Sequence, residues 1–209
     1  RSFRTATDYR EGRKARGSRD VRAAGKRGRH GRKFQETQWQ NSEVDALSRL
    51  GDAGVRVPKA HGIHEGVLLM ELVCDEHGSP APQLSEVEMT REQAHQWHAF
   101  MMTQIVRMLC AGLIHGDLSE YNVLLGPDGP VIIDLPQAVD AAGNNNAFRL
   151  LDRDVSNMRS TFSRAAPELI ETQYACEIWD LFEAGELQPD TILTGWHSRL
   201  EATPDVAAV

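Results

Sequence analysis

Three polar side chains stand out by type and spacing in the stretch 113–140, LIHGDLSEYNVLLGPDGPVIIDLPQAVD. Asp117 precedes Asn122 by five positions, and Asp134 follows Asn122 by 12. Two short apolar runs, Val123 to Leu125 and Val131 to Leu135, flank the turn sequence GPDGP and predict a small hairpin. Such a hairpin returns Asp134 to the end where Asn122 begins. A carboxylate and an amide oxygen are hard donors suited to Mg²⁺, with phosphates and water filling the other positions. Asp117 would stand beside them and accept a proton from an attacking hydroxyl. That is the arrangement phosphoryl transfer requires, a metal clamp on the phosphates and a nearby base. Aspartate is ionised at neutral pH, so this base would orient the hydroxyl and take its proton late. Asp, Ser and Asn are also turn formers, and any one of them alone could simply hold a loop. The combination His-x-Asp-x4-Asn, with Asp closing the following apolar strand, argues for chemistry.

The flanking elements must position these groups. Phe34 to Leu50 reads as a helix whose Trp39, Val44, Leu47 and Leu50 approximate one face, ended by Gly51 and Gly54. Val67 to Val73 reads as a buried strand, with Met70 in the core. DEHGSPAPQLSE is a turn region. A long helix begins near Thr90, which forms capping-box spacing with Gln93, and closes at Gly112. Trp97, Met101, Ile105 and Met108 make its core-facing stripe. Two more helices are expected over 146–163 and 167–184, with Pro167 in the first turn of the second and Gly185 at its end. This order predicts an α+β chain, a mainly helical lobe carrying a small β-hairpin and joined to a partial, strand-containing lobe. The expected division is 1–73 and 74–209.

The chain has 209 residues, 41% hydrophobic and 25% charged, enough for one medium domain or two small lobes and too apolar for a disordered chain. No apolar run reaches the ~18 residues of a membrane span, and the first residues lack the apolar stretch of a signal peptide. Cys74, Cys110 and Cys176 lie far apart, which fits neither a disulfide framework nor a zinc site and suggests reduced thiols in the cytoplasm. The net charge of −7 conceals a split: residues 1–33 carry a net +10 and residues 34–209 a net −17. The basic arm, densest over 10–33, has almost no apolar residues to drive folding. Its charge would attract phosphates of a nucleotide or RNA, although it lacks the aromatic residues of a base-stacking platform.

IHGDLSEYNVLL together with VIIDLPQAVD resembles the RIO family of atypical serine/threonine protein kinases, particularly its bacterial members. Ser119 stands where ordinary protein kinases have the loop Lys, and Leu135-Pro136-Gln137 replaces Phe-Gly after the metal Asp. The resemblance covers nearly the whole chain. It implies a protein-kinase-like fold, ATP with Mg²⁺ or Mn²⁺ as cofactors, and a protein substrate or the chain itself as acceptor. It implies Asp117 as catalytic base, Asn122 and Asp134 as metal ligands, and Asp134 as a transient phosphate acceptor in an ATPase cycle. Glu43 matches the helix residue that pairs with the nucleotide-positioning Lys. Met70 matches the gatekeeper, and Glu71 and Val73 the hinge that meets adenine. Leu124 and Ile133 would pack around the ring. His115, Ser119 and Asp154 would support the loop, with Asp154 bracing it by hydrogen bonds. The basic arm matches a flexible loop that carries autophosphorylation, with Ser18 as one acceptor. The family's glycine-rich phosphate loop and strand Lys belong before Arg1, so the sequence reads as part of a longer protein. Two alternatives stay open at this point: a small-molecule phosphotransferase of the aminoglycoside or choline kinase kind, and a non-catalytic assembly factor that binds RNA or ribosomal particles through the arm.

Overall fold

The computed structural model describes residues 43–196. The basic arm with Ser18, and the first part of the helix expected from Phe34, lie outside the described residues. The described chain opens with helix α1 over 43–52, then strands β1 (Ala60–His64) and β2 (Val67–Met70), a 3₁₀ turn at Leu84–Glu86 and the long helix α2 (Arg91–Cys110). Strands β3 (Leu113–Ile114), β4 (Val123–Gly126), β5 (Gly129–Ile132) and β6 (Val139–Asp140) come next, then α3 (Ala147–Phe162), a 3₁₀ turn at Pro167–Glu171 and α4 (Tyr174–Glu183).

Helix α2 starts where the capping box places it. Gln93 N–H donates to Thr90 Oγ1 at 3.2 Å, and Thr90 N–H donates to Gln93 Oε1 at 2.9 Å. It ends at Gly112, whose φ of 74° is the left-handed turn that favours glycine. Met101, Ile105 and Met108 of its stripe are buried, and they share one core with Leu47 and Leu50 of α1, Leu151, Val155 and Met158 of α3, and Ile178 of α4. Polar groups on α2 also fix the chain leaving α1. Gln104 Oε1 accepts from Arg56 N–H at 2.8 Å, and Arg107 Nη1 donates to the Gly54 carbonyl at 2.9 Å. Arg56 in turn offers its carbonyl to Ile132 N–H at 2.8 Å, tying that segment to β5.

The described strands form three separate antiparallel pairs, β1–β2, β3–β6 and β4–β5. The expected hairpin is β4–β5, with Val123 opposite Ile132 and Gly126 opposite Gly129 across the Pro127-Asp128 turn. Its second strand stops at Ile132, short of the expected Leu135, because the backbone turns at Asp134 with a φ of 64°. Strand β1 pairs with β2 through a Glu65-Gly66 turn whose two positive φ values, 51° and 79°, suit a tight two-residue hairpin. The strand expected over Val67–Val73 ends at Met70, and it is not buried. Val67, Leu69, Met70 and Leu72 are 61%, 49%, 40% and 67% exposed, so Met70 is not a core residue. Apolar composition signalled burial here, but no described element covers that face of the two-stranded ribbon.

The helix expected over 167–184 is also broken. Pro167 opens a 3₁₀ turn, and α4 starts only at Tyr174. Between them the groups that would continue a helix bond elsewhere: the Thr172 carbonyl accepts from Arg159 Nη1 at 2.9 Å, and Gln173 N–H donates to the Gly195 carbonyl at 2.9 Å. Gly185, with φ 71°, closes α4.

His98 of α2 sits at the junction of these helices, 1% exposed, with its ring centroid 5.8 Å from Phe162 and 5.4 Å from Tyr174. Its Nε2 has no hydrogen-bond partner among the described residues. Burial pushes its pKa down to about 4, with the charges of His95 and Arg159 adding to the effect. The unfolded chain, with an ordinary histidine near 6.5, takes up a proton first. Stability is therefore lost as pH falls from about 6.5 towards 4, and this residue accounts for about 3 kcal/mol of that loss. Urea unfolding from pH 7 to pH 4 should show wild type losing about that much relative to His98→Phe.

Candidate active site

The loop 115–122 leaves β3 and is held from below by one polar stripe on α3. Asp154 is 2% exposed, and its two carboxylate oxygens accept separate backbone donors: Oδ2 from Gly116 N–H at 2.8 Å and Oδ1 from Leu118 N–H at 2.9 Å. Asn157, three residues on, donates from Nδ2 to the Leu118 carbonyl at 2.8 Å. Thr161, four further, donates from Oγ1 to Glu120 Oε2 at 2.5 Å. Spacings of three and four place all three side chains on one face of the helix. Burial raises the Asp154 pKa to about 7, opposed by the two backbone donors. The ionised form is the one that offers an acceptor to both.

Glu120 closes the far end of the loop. Burial would raise its pKa, but hydrogen bonds from Thr161 and Arg164 hold it below the usual glutamate range. Arg164 reaches both of its oxygens, at 2.9 and 3.3 Å. The Glu120 carbonyl also accepts Ser85 N–H at 3.2 Å, which seats the 3₁₀ turn at Leu84–Glu86 under the loop.

His115 is 1% exposed and joins the loop to the strand that leads to Asp134. Its Nε2 lies 3.0 Å from the Ile133 carbonyl, and its Nδ1 lies 3.3 Å from Asp117 N–H. Those contacts require a proton on Nε2 and a lone pair on Nδ1, the neutral ring. Burial lowers its pKa, outweighing the Ile133 hydrogen bond and the charges of Asp117 and Asp134.

The three residues singled out by spacing lie on backbone segments that are bonded to one another. Asn122 donates from Nδ2 to the Asp117 carbonyl at 2.8 Å, and the Asn122 carbonyl accepts Ile133 N–H at 3.0 Å, extending the hairpin to the residue before Asp134. Ser119 offers its carbonyl to Asn122 N–H at 2.9 Å. The Asp117 carboxylate is half-exposed. Gln137 Nε2 donates to its Oδ2 at 3.2 Å, and Arg153 Nη2 stands 4.0 Å from its Oδ1. The Gln137 carbonyl passes so close to Gly116 that a Cβ there would lie 3.1 Å from it, and Gly116 has a φ of 78°. The loop can therefore carry no side chain at that position without shifting.

Glu43 of α1 is buried. Burial raises its pKa, and the nearby charge of Asp134 raises it further. Among the described residues no three His, Cys, Asp or Glu side chains gather as a metal cluster. The candidate metal site consists of Asp134 and the Asn122 oxygen, with phosphates and water needed to complete it. This donor set fits Mg²⁺. The Asn122 nitrogen is committed to the Asp117 carbonyl, leaving its oxygen for a cation.

The candidate hinge runs beside the hairpin. Val73 accepts Ala81 N–H at 2.9 Å, Leu125 N–H donates to Pro82 at 2.9 Å, and a Cβ at Gly126 would lie 3.6 Å from Val73 Cγ1. Glu71 N–H donates to the Lys59 carbonyl at 2.8 Å. The Glu71 carbonyl and Val73 N–H have no partner among the described residues, leaving one acceptor and one donor for a planar base. Leu124 pairs with Val131, so by the two-residue alternation of strands Leu124 and Ile133 belong to one half-buried face of the hairpin. Met70 ends β2 and directly precedes Glu71 in the chain.

A profile described as RIO domain matches residues 2–175 of this sequence. The chain belongs to the RIO family. It is 40% identical over 128 residues to the RIO-type serine/threonine-protein kinase Rio1 of Haloferax volcanii, a stretch covering 60% of this chain and 42% of that protein. It is 34% identical over 126 residues to the Rio1 of Thermoplasma acidophilum, covering 60% and 64%, and 32% identical over 134 residues to the serine/threonine-protein kinase RIO1 of Homo sapiens, covering 64% and 23%. The matched part thus spans less than two thirds of each of these relatives. None of these matches singles out a bacterial branch. The RIO fold assignment agrees with the helical lobe and the small antiparallel sheets. No described helix is long and apolar enough to cross a membrane, and all three cysteines are free thiols.

Sequence reasoning pointed to Asp154 but missed Asn157, Thr161, Glu120, Gln137 and Arg153. The signal for the first two was present: Asp, Asn and Thr recur at helical spacing between the buried Leu151, Val155, Met158 and Phe162. Nothing local marked the others, whose partners lie 20 to 44 residues away. Replacing Asp154 by Asn would set an NH₂ group against one of the two backbone N–H groups. Urea unfolding of Asp154→Asn should show a loss of about 1–3 kcal/mol, the cost of a buried donor left without an acceptor.

Proposed function

We propose that this RIO chain binds ATP with Mg²⁺ and transfers the terminal phosphoryl group to a protein serine or threonine hydroxyl, or to water in an ATPase cycle. The observation that carries this reading is the pair of hydrogen bonds through which Asn122 touches both the Asp117 carbonyl and Ile133, the neighbour of Asp134. The relatives named as serine/threonine-protein kinases support it.

In this reading Asp134 and Asn122 hold the metal, whose chemistry when bound is to neutralise the phosphate charge and orient the terminal phosphoryl group. Glu71 and Val73 present their outward backbone groups to adenine, with Met70, Leu124 and Ile133 against the ring. Asp117 orients the acceptor hydroxyl and takes its proton as the bond to phosphorus forms. His115, Ser119, Asp154 and the other α3 residues keep that carboxylate in place. Glu43 serves a cationic partner that also positions the nucleotide. In the hydrolytic cycle Asp134 is the transient phosphate acceptor. The arm over 1–33 supplies a phosphate-attracting surface for RNA or a ribosomal particle.

Asp117→Asn should reduce phosphoryl transfer from [γ-³²P]ATP by about 10²-fold or more while nucleotide binding persists. Binding of RNA through the arm, if measured on the same variant, should be unchanged and strongly salt-dependent. Asp134→Asn should weaken Mg²⁺-dependent ATP binding by calorimetry. An Asp134→Asn protein that still binds Mg²⁺–ATP normally would contradict this assignment.

A further inference from the structure

We propose that Gln137 is a positioning residue for phosphoryl transfer: its side-chain amide holds one oxygen of the Asp117 carboxylate and so presents the other to the acceptor hydroxyl. This rests on the phosphotransfer reading above and adds the residue that orients its base.

The loop fixes the backbone of Asp117 but not the plane of its carboxylate. The terminal torsion of an aspartate is broad and roughly two-fold, so the two oxygens of a half-exposed side chain can exchange places. Gln137 breaks that equivalence. Its Nε2 donates to Oδ2 at 3.2 Å. Oδ1 accepts no hydrogen bond among the described residues, since Arg153 Nη2 stands 4.0 Å from it, beyond hydrogen-bond reach. An ionised carboxylate only accepts, so the glutamine must turn its NH₂ group, not its carbonyl, towards Asp117. A neutral amide is neither acid nor base here, so it holds Oδ2 without taking the proton. As the hydroxyl oxygen bonds to phosphorus and the bond to ADP breaks, that proton passes to Oδ1.

The donor is itself held in place. Leu135 to Ala138 form a turn in which Ala138 N–H donates to the Leu135 carbonyl at 3.0 Å, with Pro136 at the second position, where its fixed φ is suited. Leu135 and Ala138 are both buried in the core. Between them the Gln137 carbonyl abuts Gly116, the residue before Asp117. Both ends of the hydrogen bond are therefore carried by anchored backbone, one on the loop and one on the turn that starts directly after Asp134. The base and the candidate metal ligand thus take their positions from adjoining parts of one segment. A misplacement of about 1 Å at a reacting group can cost on the order of 10²-fold in rate. Losing one orienting hydrogen bond while the backbone stays anchored should cost less than that.

The test uses the full chain, transfer from [γ-³²P]ATP to casein, and wild type, Gln137→Met, Asp117→Asn and the double variant. Methionine keeps the length of the side chain and removes the donor. Gln137→Met is expected to lower kcat about tenfold, while the KM for ATP and the calorimetric affinity for Mg²⁺–ATP stay within about twofold of wild type. In the Asp117→Asn background the same change should alter the residual rate less than about twofold, because a residue that acts through Asp117 has nothing left to position. A residue that only supports the fold would slow both backgrounds alike. The Gln137 NH₂ resonances in ¹H–¹⁵N spectra give a second measurement and should move on Asp117→Ala; resonances that stay put would overturn the proposal. Gln137→Met turning over like wild type, or slowing both backgrounds by one factor, overturns it and leaves phosphotransfer standing. A raised KM with kcat unchanged would place Gln137 at the nucleotide and also overturn it. No transfer by wild type, or full transfer by Asp117→Asn, sinks the phosphotransfer reading and this role with it.

Discussion

Asp154 accepts the N–H groups of Gly116 and Leu118, one on each carboxylate oxygen, in a place nearly closed to water. The residue between those two donors is Asp117, so its backbone cannot turn without breaking one bond or the other. Buried hydrogen bonds of this kind are modest in net stability but costly to leave half-made. The loop therefore has one arrangement, and the half-exposed carboxylate it carries is aimed by groups it never touches. The same helix contributes Asn157 and Thr161, so a single rigid element indexes the loop from Gly116 to Glu120.

That fixed loop determines what else can approach. Gly116 lets the Gln137 carbonyl come close, which brings the chain after Asp134 against the chain around Asp117. His115 adds a bridge, its neutral ring serving as donor to Ile133 and acceptor from Asp117 N–H. Asn122 completes the connection through its side chain and its carbonyl. Three contacts thus join the loop to the segment around Asp134, and the Asn122 side chain ties the loop to itself.

The arrangement stores unfavourable terms at the candidate metal position. Asp134 occupies a left-handed backbone at φ 64°, which costs a non-glycine residue on the order of 1–2 kcal/mol. Its charge also bears on the buried Glu43 carboxyl. Both features are costs that the site carries within the folded chain. The packed core shared by α1, α2, α3 and α4 supplies the stability against which such local costs can stand.

The chemistry-bearing residues were legible because each lies within a local pattern. His115, Asp117 and Asn122 share one short loop, Asp134 follows a hairpin announced by its turn, and the cap and stop of α2 are written in Thr90, Gln93 and Gly112. The family followed from the same residues. The exposed β1–β2 ribbon was not legible, since an apolar strand reads alike whether or not another element covers it. Nor was the break before α4, where Arg159 and Gly195 claim the backbone groups of Thr172 and Gln173. The bracket of Gln137 and Arg153 around Asp117 likewise exists only after folding. Spacing along a chain determines which residues share a turn or a helix face. Which residues from distant segments meet depends on how the helices pack, and only the tertiary structure decides that.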